Sequence, residues 1–433
     1  MKLNTLTKSI ALGLAVCSAP ALALETTAEM HGYIKAGLLA NADGTRANSV
    51  GLLTDYGKWR LGNEQNTKIE LLPTLKMTTD DGTWAKARVN LTHETNCTSD
   101  WNCVDGDGHD IQFREGFVEM GGFDFAPESV FWAGKRYSSS NTSSHQFDWE
   151  YIQYNGTGGG IDKIDLGFAK MDIGVYAFMP SDRNGEDPVD GTVQGYSDDF
   201  SLNVWFKQIG GSQLDVQLVA HTMEEHSWHK GAATSGVGAT ALYNFDGFYN
   251  LANGFSRMTL QYGEGLAAGD SLGKNGWGFA NSEDTKSSRI VFDGVVNLSE
   301  SWEMSTFAFY QIDSDYAPWS DWSNPATKGY DRDVFAIGVR PHNQITKNFA
   351  MQYEIGYENV SEDKVDGADG GLYKVTVAPT LMLESGFWAR PQIRAFVTYA
   401  QWDDEASSKV DSGYTRDGQT DTLNFGVQAE VWF

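Results

Sequence analysis

The chain contains little cysteine and little proline, with Cys 3 and Pro 10 among 433 residues. After the N-terminal region no uncharged apolar run approaches the roughly 18 residues that a membrane helix needs, which excludes a helical membrane protein. Basic residues are also scarce, with Lys+Arg 32 against Asp+Glu 58 and a formal net charge of −26. Because nucleic acid requires a basic surface, it is not expected as a partner. Glycine and aromatic residues are abundant instead, Gly 47 and 13% aromatic, and this composition favours β structure.

Residues 1–23 have the organisation of a secretion signal. Lys2 and Lys8 give a basic start, residues 10–16 are mostly apolar, and Ala21-Leu-Ala23 is a cleavage site. The mature chain is therefore expected to begin at Leu24. The apolar run is too short to span a bilayer as a helix, and an uncleaved anchor is the alternative.

Two cysteines remain after removal of this signal, Cys97 and Cys103. An exported chain meets an oxidising compartment, so the two are expected to form a disulfide. The loop that it closes is small, and in the chain-entropy model the bond contributes only about 2–2.5 kcal/mol. Its expected role is to stiffen the segment that contains Trp101.

The end of the chain alternates between apolar and polar side chains with a period of two. Leu423 and Phe425 fall on one face and Asn424 on the other, which predicts a strand with one apolar and one wet side. A terminal strand that ends in an aromatic residue, here Phe433, is typical of a bacterial outer-membrane β-barrel. Trp432 breaks the pattern because its large ring lies on the polar face.

Similar alternation recurs along the whole chain and predicts about eighteen strands. An even number of strands is expected for a bacterial barrel, and a barrel of this size is wide enough to leave a channel. A soluble propeller or sandwich is the competing fold, but the chain shows no blade-length repeat. The predicted strands are 30–39, 66–78, 84–93, 111–122, 129–136, 162–170, 171–179, 198–208, 212–222, 236–246, 255–264, 287–297, 301–313, 331–340, 347–359, 371–384, 389–401 and 420–433.

Several large rings share the polar faces of these strands with charged and amide side chains. They are Tyr33, Phe255, Trp388 and Trp432. An interfacial girdle or simple filling of the lumen would be the alternative interpretation, but girdle rings belong on the lipid side. A sugar ring has a flat apolar C–H face, and covering about 50 Å² of it contributes about 1 kcal/mol per aromatic ring. The pattern therefore favours a stacking track for sugars, with neighbouring charges bonding to their hydroxyls.

At these residues the chain resembles the maltoporin (LamB-type carbohydrate porin) family over nearly all of its mature length. The similar stretches are His31-Gly-Tyr33, Arg60-Leu-Gly-Asn-Glu64, Phe113-Arg-Glu115, Trp132-Ala-Gly-Lys-Arg136, Ile164-Asp-Leu-Gly-Phe168, Trp388-Ala-Arg-Pro391, Thr398-Tyr-Ala-Gln-Trp402 and the C-terminal strand. The resemblance implies an 18-stranded antiparallel transmembrane β-barrel over residues 24–433. It also implies a homotrimer and a third loop that folds inward to form a constriction.

The resemblance also implies roles for single residues. The four rings match the family's aromatic track, and Trp101 matches a residue that reaches into the neighbouring subunit's channel. The family's polar track and constriction match Lys35, Arg60, Glu70, Arg114, His145 and Asp148. This chain differs at four positions: Lys35 stands where arginine is usual, Lys68 and Glu150 replace tyrosines, and Ser143 replaces an aspartate. We expect these changes to alter the strength or the sugar preference of the filter and not to abolish sugar binding.

The sequence thus predicts a channel for facilitated diffusion of maltose and maltodextrins in the outer membrane of a Gram-negative bacterium. A general, non-specific porin is the first alternative, and a secreted β-rich glycosidase or lectin is the second. A glycosidase needs two carboxylates at a set separation, which the sequence of an acidic chain does not reveal. No nucleophile motif, phosphate loop or zinc spacing occurs in the sequence, so neither an enzymatic activity nor a cofactor is expected.

Overall fold

A computed structural model gives the architecture of most of the chain. It describes residues 24–42, 47–54, 56–95, 111–139, 143–178, 199–223, 232–276, 278, 281–317, 329–363, 368–411, 414–415 and 418–433. No helix in these ranges combines the length and the apolar character needed to cross a membrane.

The described residues form long antiparallel strands joined by alternating short and long connections. In chain order the strands are β1 Leu24–Asn41, β2 Thr67–Thr79, β3 Trp84–Thr95, β4 Gln112–Phe123, β5 Ala126–Ser139, β6 Ser143–Ser144, β7 Trp149–Glu150, β8 Gln153–Asp165, β9 Lys170–Phe178, β10 Asp199–Lys207, β11 Leu214–Thr222, β12 Ser235–Phe245, β13 Gly254–Gly265, β14 Lys286–Asn297, β15 Trp302–Tyr316, β16 Tyr330–Thr346, β17 Phe349–Glu362, β18 Asp369–Met382, β19 Gln392–Trp402 and β20 Asp421–Trp432. Short 3₁₀ helices occupy Ile209–Gly211, Gly269–Ser271 and Asp404–Lys409.

Eighteen of these strands close into one barrel, and only the two-residue strands β6 and β7 stand apart as a small hairpin. Closure is made by β1, which pairs with β2 on one side and with β20 on the other. Tyr33 lies opposite Trp432 in the second of these pairings. The 18-stranded antiparallel barrel that the sequence predicts is therefore confirmed.

Side chains alternate between the bore and the outer surface, because successive residues of a strand point to opposite faces. In β20, Asn424 and Glu430 are buried on the inner face, whereas Phe425 and Val427 are exposed on the outer face. The same pattern in β19 leaves Ile393 59% exposed on the outside. An apolar outer face and a polar lumen are the arrangement that a lipid-embedded barrel requires.

One predicted strand was misplaced. Residues 162–170 were predicted to form a strand, but β8 is Gln153–Asp165 and the next four residues form a turn. The run Gly158–Gly160 hides the strand pattern, because glycine is depleted in strands. The structure explains these glycines: a Cβ on Gly160 or on Gly174 of β9 would press against the buried ring of Trp132.

The long connection after β1 packs inside the barrel, and we call its described residues between 47 and 66 the first inner loop. Trp59, fully buried, lies against the paired glycines Gly338 of β16 and Gly356 of β17, where any Cβ would overlap the indole. The carboxylate of Glu358 accepts hydrogen bonds from the backbone N–H groups of Leu52 and Leu53. The sequence predicted an inward third loop only, so this second obstruction of the bore is a finding of the structure.

Candidate functional site

Four inward-facing aromatic side chains form a continuous row, and we call Tyr33, Phe255, Trp388 and Trp432 the ring row. The centroids of Phe255 and Trp388 lie 6.3 Å apart, and those of Trp388 and Trp432 lie 6.4 Å apart. Tyr33 continues the row as the cross-strand neighbour of Trp432. Phe255 and Trp388 are each 42% exposed, so the row presents ring faces to the bore.

The row is assembled from parts of the chain that are distant in sequence. Phe255 stands at the start of β13, Trp432 ends β20, and Tyr33 lies within β1. Trp388 comes from the short connection between β18 and β19. Its neighbour Phe387 anchors that connection, because its ring is buried at 4.9 Å from Trp388 and its backbone N–H donates to Glu303.

A buried network of charges lies behind the ring row. Two carboxylates, Glu64 and Glu430, bind four cations in ion pairs of 2.5–2.9 Å: Lys35 and Arg60 on Glu64, and Arg60, Arg390 and Arg394 on Glu430. Breaking one partner of such a buried pair typically costs about 3–5 kcal/mol. The network should therefore be rigid.

The same network holds individual rings in place. The Tyr33 hydroxyl donates to Glu430 over 2.9 Å. The guanidinium carbon of Arg390 lies 4.0 Å from the centroid of the Trp432 ring, which is within cation–π range. The head groups of Lys35 and Arg60 are thus buried and paired. They support the rings and have few free N–H donors for a solute.

His145, from the hairpin of β6 and β7, packs against both the ring row and the charge network. Its ring centroid is 5.6 Å from that of Trp388 and 5.8 Å from that of Trp432. Its Nδ1 lies 2.9 Å from Arg60 and its Nε2 lies 3.1 Å from Arg390. Since a neutral imidazole accepts at one nitrogen only, each tautomer bonds to one of these two arginines. Burial, with the Arg60 guanidinium beside it, holds the pKa of His145 well below its usual value.

The other wall of the narrow region is more exposed and more polar. Arg114 donates to Glu70 over 3.0 Å, and the Lys68 ammonium lies 3.3 Å from the same carboxylate. These side chains retain 18–30% of their surface, so they can bond to a solute. A bulge in the pairing of β3 with β4 turns Arg114 inward, a position that alternation alone left ambiguous.

The hairpin meets this wall at Glu150. Its carboxylate accepts hydrogen bonds from the Tyr137 hydroxyl and from Gln153. The Arg114 guanidinium carbon stacks 3.8 Å from the centroid of the Tyr137 ring. Asp148 is exposed nearby and adopts a left-handed backbone with φ 49, a conformation that aspartate tolerates better than most residues.

Sequence reasoning missed several of these residues and could not place others. Tyr137 carried no signal, since nothing in its strand indicates a partner in the hairpin. Glu64 and Glu430 could have been found, because one lies in a family-like stretch and the other on the wet face of the last strand. Trp101, Cys97 and Cys103 lie outside the residues that the structure describes.

Comparison with known families decides the affiliation of the chain. A family model described as LamB porin matches residues 28–433. The chain belongs to the LamB porin family. This LamB porin is therefore an outer-membrane channel.

Solved structures agree on the fold. The LamB porin is similar to OccK2 (OpdF) of Pseudomonas aeruginosa, with 11% identity, a TM-score of 0.50, and 94% of this chain and 97% of that chain covered. It is similar to OccAB1 of Acinetobacter baumannii, with 10% identity, a TM-score of 0.50, and coverages of 94% and 96%. At such identities the likeness concerns the fold alone.

Proposed function

We propose that this LamB porin is a sugar-selective channel for facilitated diffusion of maltose and maltodextrins. The observation that supports it is the unbroken ring row on the inner wall. An exposed ring in an aqueous bore gains nothing from water, but it can cover the flat C–H face of a pyranose. Consecutive rings offer consecutive weak sites, which a chain of sugar units can occupy in turn and leave again.

The more exposed wall of the narrow region, which we call the polar wall, also supports the proposal. Lys68, Glu70 and Arg114 face the bore with surface to spare, and charged groups make strong hydrogen bonds to hydroxyls. Lys68 and Glu150 sit where the family has tyrosines, so this channel should bind its sugar with two rings fewer, and with one ammonium and one carboxylate more. The resemblance further supports a homotrimer, and export to an oxidising compartment supports a Cys97–Cys103 disulfide, as parts of the same proposal.

Trp388→Ala and Trp432→Ala, each made singly, test the ring row. The affinity for maltotriose, measured as block of ion current in a planar bilayer, should fall about fivefold per ring. The open-channel current without sugar should change little. Trp302→Ala is the matched control, because Trp302 stacks on Tyr353 on the outer face of the barrel and should leave the block unchanged.

Three outcomes would contradict the proposal. Unchanged maltotriose affinity in both ring variants would remove the stacking site. Equal block by maltotriose and by a neutral polyol of the same size would identify a general porin. New reducing ends after incubation of the purified chain with maltodextrin would identify a glycosidase.

A further inference from the structure

A second cavity of about 690 Å³ lies on a different stretch of the inner wall, and we call it the side chamber. Strands β3–β5 and β8–β10 form most of its lining, and none of the ring row residues contributes to it. Its volume falls within the range of about 300–1,000 Å³ that is usual for small-molecule sites. The lining contains six Lys or Arg and six Asp or Glu residues, so its formal charge is balanced.

The acids of the side chamber are already engaged by the barrel. Glu119 forms ion pairs with Lys86 and with Arg136. The other five acids of the lining each accept at least one hydrogen bond from a neighbouring side chain or backbone N–H. A positively charged solute would therefore have to displace existing partners.

The cations of the lining are not all engaged. Arg88 forms no ion pair within 4.0 Å with any residue that the structure describes, although Glu115 of the same lining interacts with its charge, and its Nε is buried without a hydrogen-bond partner. Its guanidinium lies 6.0 Å from the ring of Phe117, and that of Arg136 lies 5.5 Å from the same ring. Lys163, also in the lining, has an exposed side chain that pairs with none of the described acids. The unpaired donors of the side chamber are thus suited to a negatively charged acceptor.

We propose that the side chamber is a second solute site, which binds a monosaccharide-sized anion with a carboxylate or phosphate group. The anion bonds to the terminal nitrogens of Arg88, the only guanidinium there that lacks a hydrogen-bond acceptor among the described residues. Lys163 adds a second positive charge, and other polar side chains of the lining bond to the hydroxyls of the solute. This site is independent of the ring row and of its proposed sugar.

Ligand-detected NMR titration of the purified full-length protein in detergent tests the site. Glucuronate and glucose 6-phosphate serve as the two anionic probes, with neutral glucose and inorganic phosphate beside them. At least one of the two sugar anions should bind about tenfold more tightly than glucose. A preference for one of them identifies carboxylate or phosphate as the group recognised. Equally tight binding of inorganic phosphate would contradict the proposal, because the sugar part of the solute would then contribute nothing.

Arg88→Gln should reduce the affinity for the anions to that for glucose, whereas Arg88→Lys should retain part of the preference. Lys347→Gln, the same charge change in an exposed turn, should have no effect. Trp388→Ala should leave anion binding intact, and Arg88→Gln should leave maltotriose block intact. Loss of binding at one site is therefore distinguishable from loss of binding at the other.

The proposal is overturned if neither anion binds more tightly than glucose, or if Arg88→Gln has no effect. It is also overturned if Trp388→Ala abolishes anion binding, since the anion would then occupy the ring row. Should Arg88→Gln not assemble, Lys163→Gln replaces it, because its exposed side chain supports no packing. A weaker affinity for the anions in that variant supports the site, and an unchanged one excludes it.

Discussion

His145 is the residue through which the inserted hairpin contacts the ring row and the charges behind it. Its imidazole lies against two indoles and between two guanidinium groups, so a proton on it would place a third positive charge in a buried space. Burial and repulsion act in the same direction here, and both favour the neutral ring.

The protonation state of His145 leads to a prediction about pH. Because its pKa lies well below the usual 6.5, the ring should already be neutral at pH 5.5 and should stay neutral up to pH 8. The affinity of maltotriose, measured by current block, should therefore be the same within about twofold across this range. A titration step in affinity near pH 6.5 would show that the ring is accessible to protons at its ordinary pKa.

Alternation predicts which way a side chain points but not which residue it meets. Trp432 and Phe255 could be assigned to the lumen because a strand has a period of two. The contact between Tyr137 and Glu150 joins a barrel strand to an inserted hairpin, and no sequence period relates the two. The burial of Lys35 and Arg60 behind the rings was missed for the same reason, since no sequence period relates Lys35 to Glu64 or Arg60 to Glu430.

At the scale of elements, the first inner loop is held to the wall by side chains that cap its backbone. Lys374 and Thr376 both donate to the carbonyl of Leu61, and Glu354 accepts from the Leu61 N–H. A loop inside a barrel cannot use the ladder bonds of the strands, so its buried backbone groups need such partners. The wall therefore carries charged residues where a packed core would carry apolar ones.

Gly356→Ala tests how tightly this loop is seated. The new methyl group overlaps the indole of Trp59, and overpacking of this kind typically costs about 1–3 kcal/mol. We expect a lower unfolding temperature in detergent and noisier open-channel current. Gly116→Ala is the control, because Gly116 has no atom within 4 Å of its added Cβ. If the two variants have the same unfolding temperature and the same current noise, Trp59 is not fixed against Gly338 and Gly356.

Strands were the most predictable elements and inserted loops the least. Seventeen of the eighteen predicted segments cover more than half of the correct strand, since each has one lipid-facing and one wet face, whereas segment 162–170 overlaps β8 only at residues 162–165. The segment 162–170 failed where glycine replaced the alternating side chains. The first inner loop could not be predicted, because its apolar residues Leu52, Leu53 and Trp59 pack inside the bore without a repeating pattern.

At the scale of the whole molecule, charge is distributed unevenly. The chain has a net charge of −26, yet four cations share two carboxylates behind the ring row. Much of the acid lies by sequence in connections, such as residues 403–411. The protein as a whole should therefore attract cations to the channel entrances, whereas its interior contains positive and negative charges side by side.

This distribution of charge predicts that the channel selects cations at low salt concentration and loses most of this selectivity at high salt concentration. Exposed charges act over about 10 Å at 0.1 M salt but only about 3 Å at 1 M. The reversal potential in a KCl gradient should therefore show preference for K⁺ near 0.1 M and little preference near 1 M. Glu70→Gln should weaken the preference more than Glu384→Gln, because Glu70 lines the narrow region whereas Glu384 is exposed in a short connection. Preference for Cl⁻ at low salt would instead mean that the cations behind the rings govern the field of the bore.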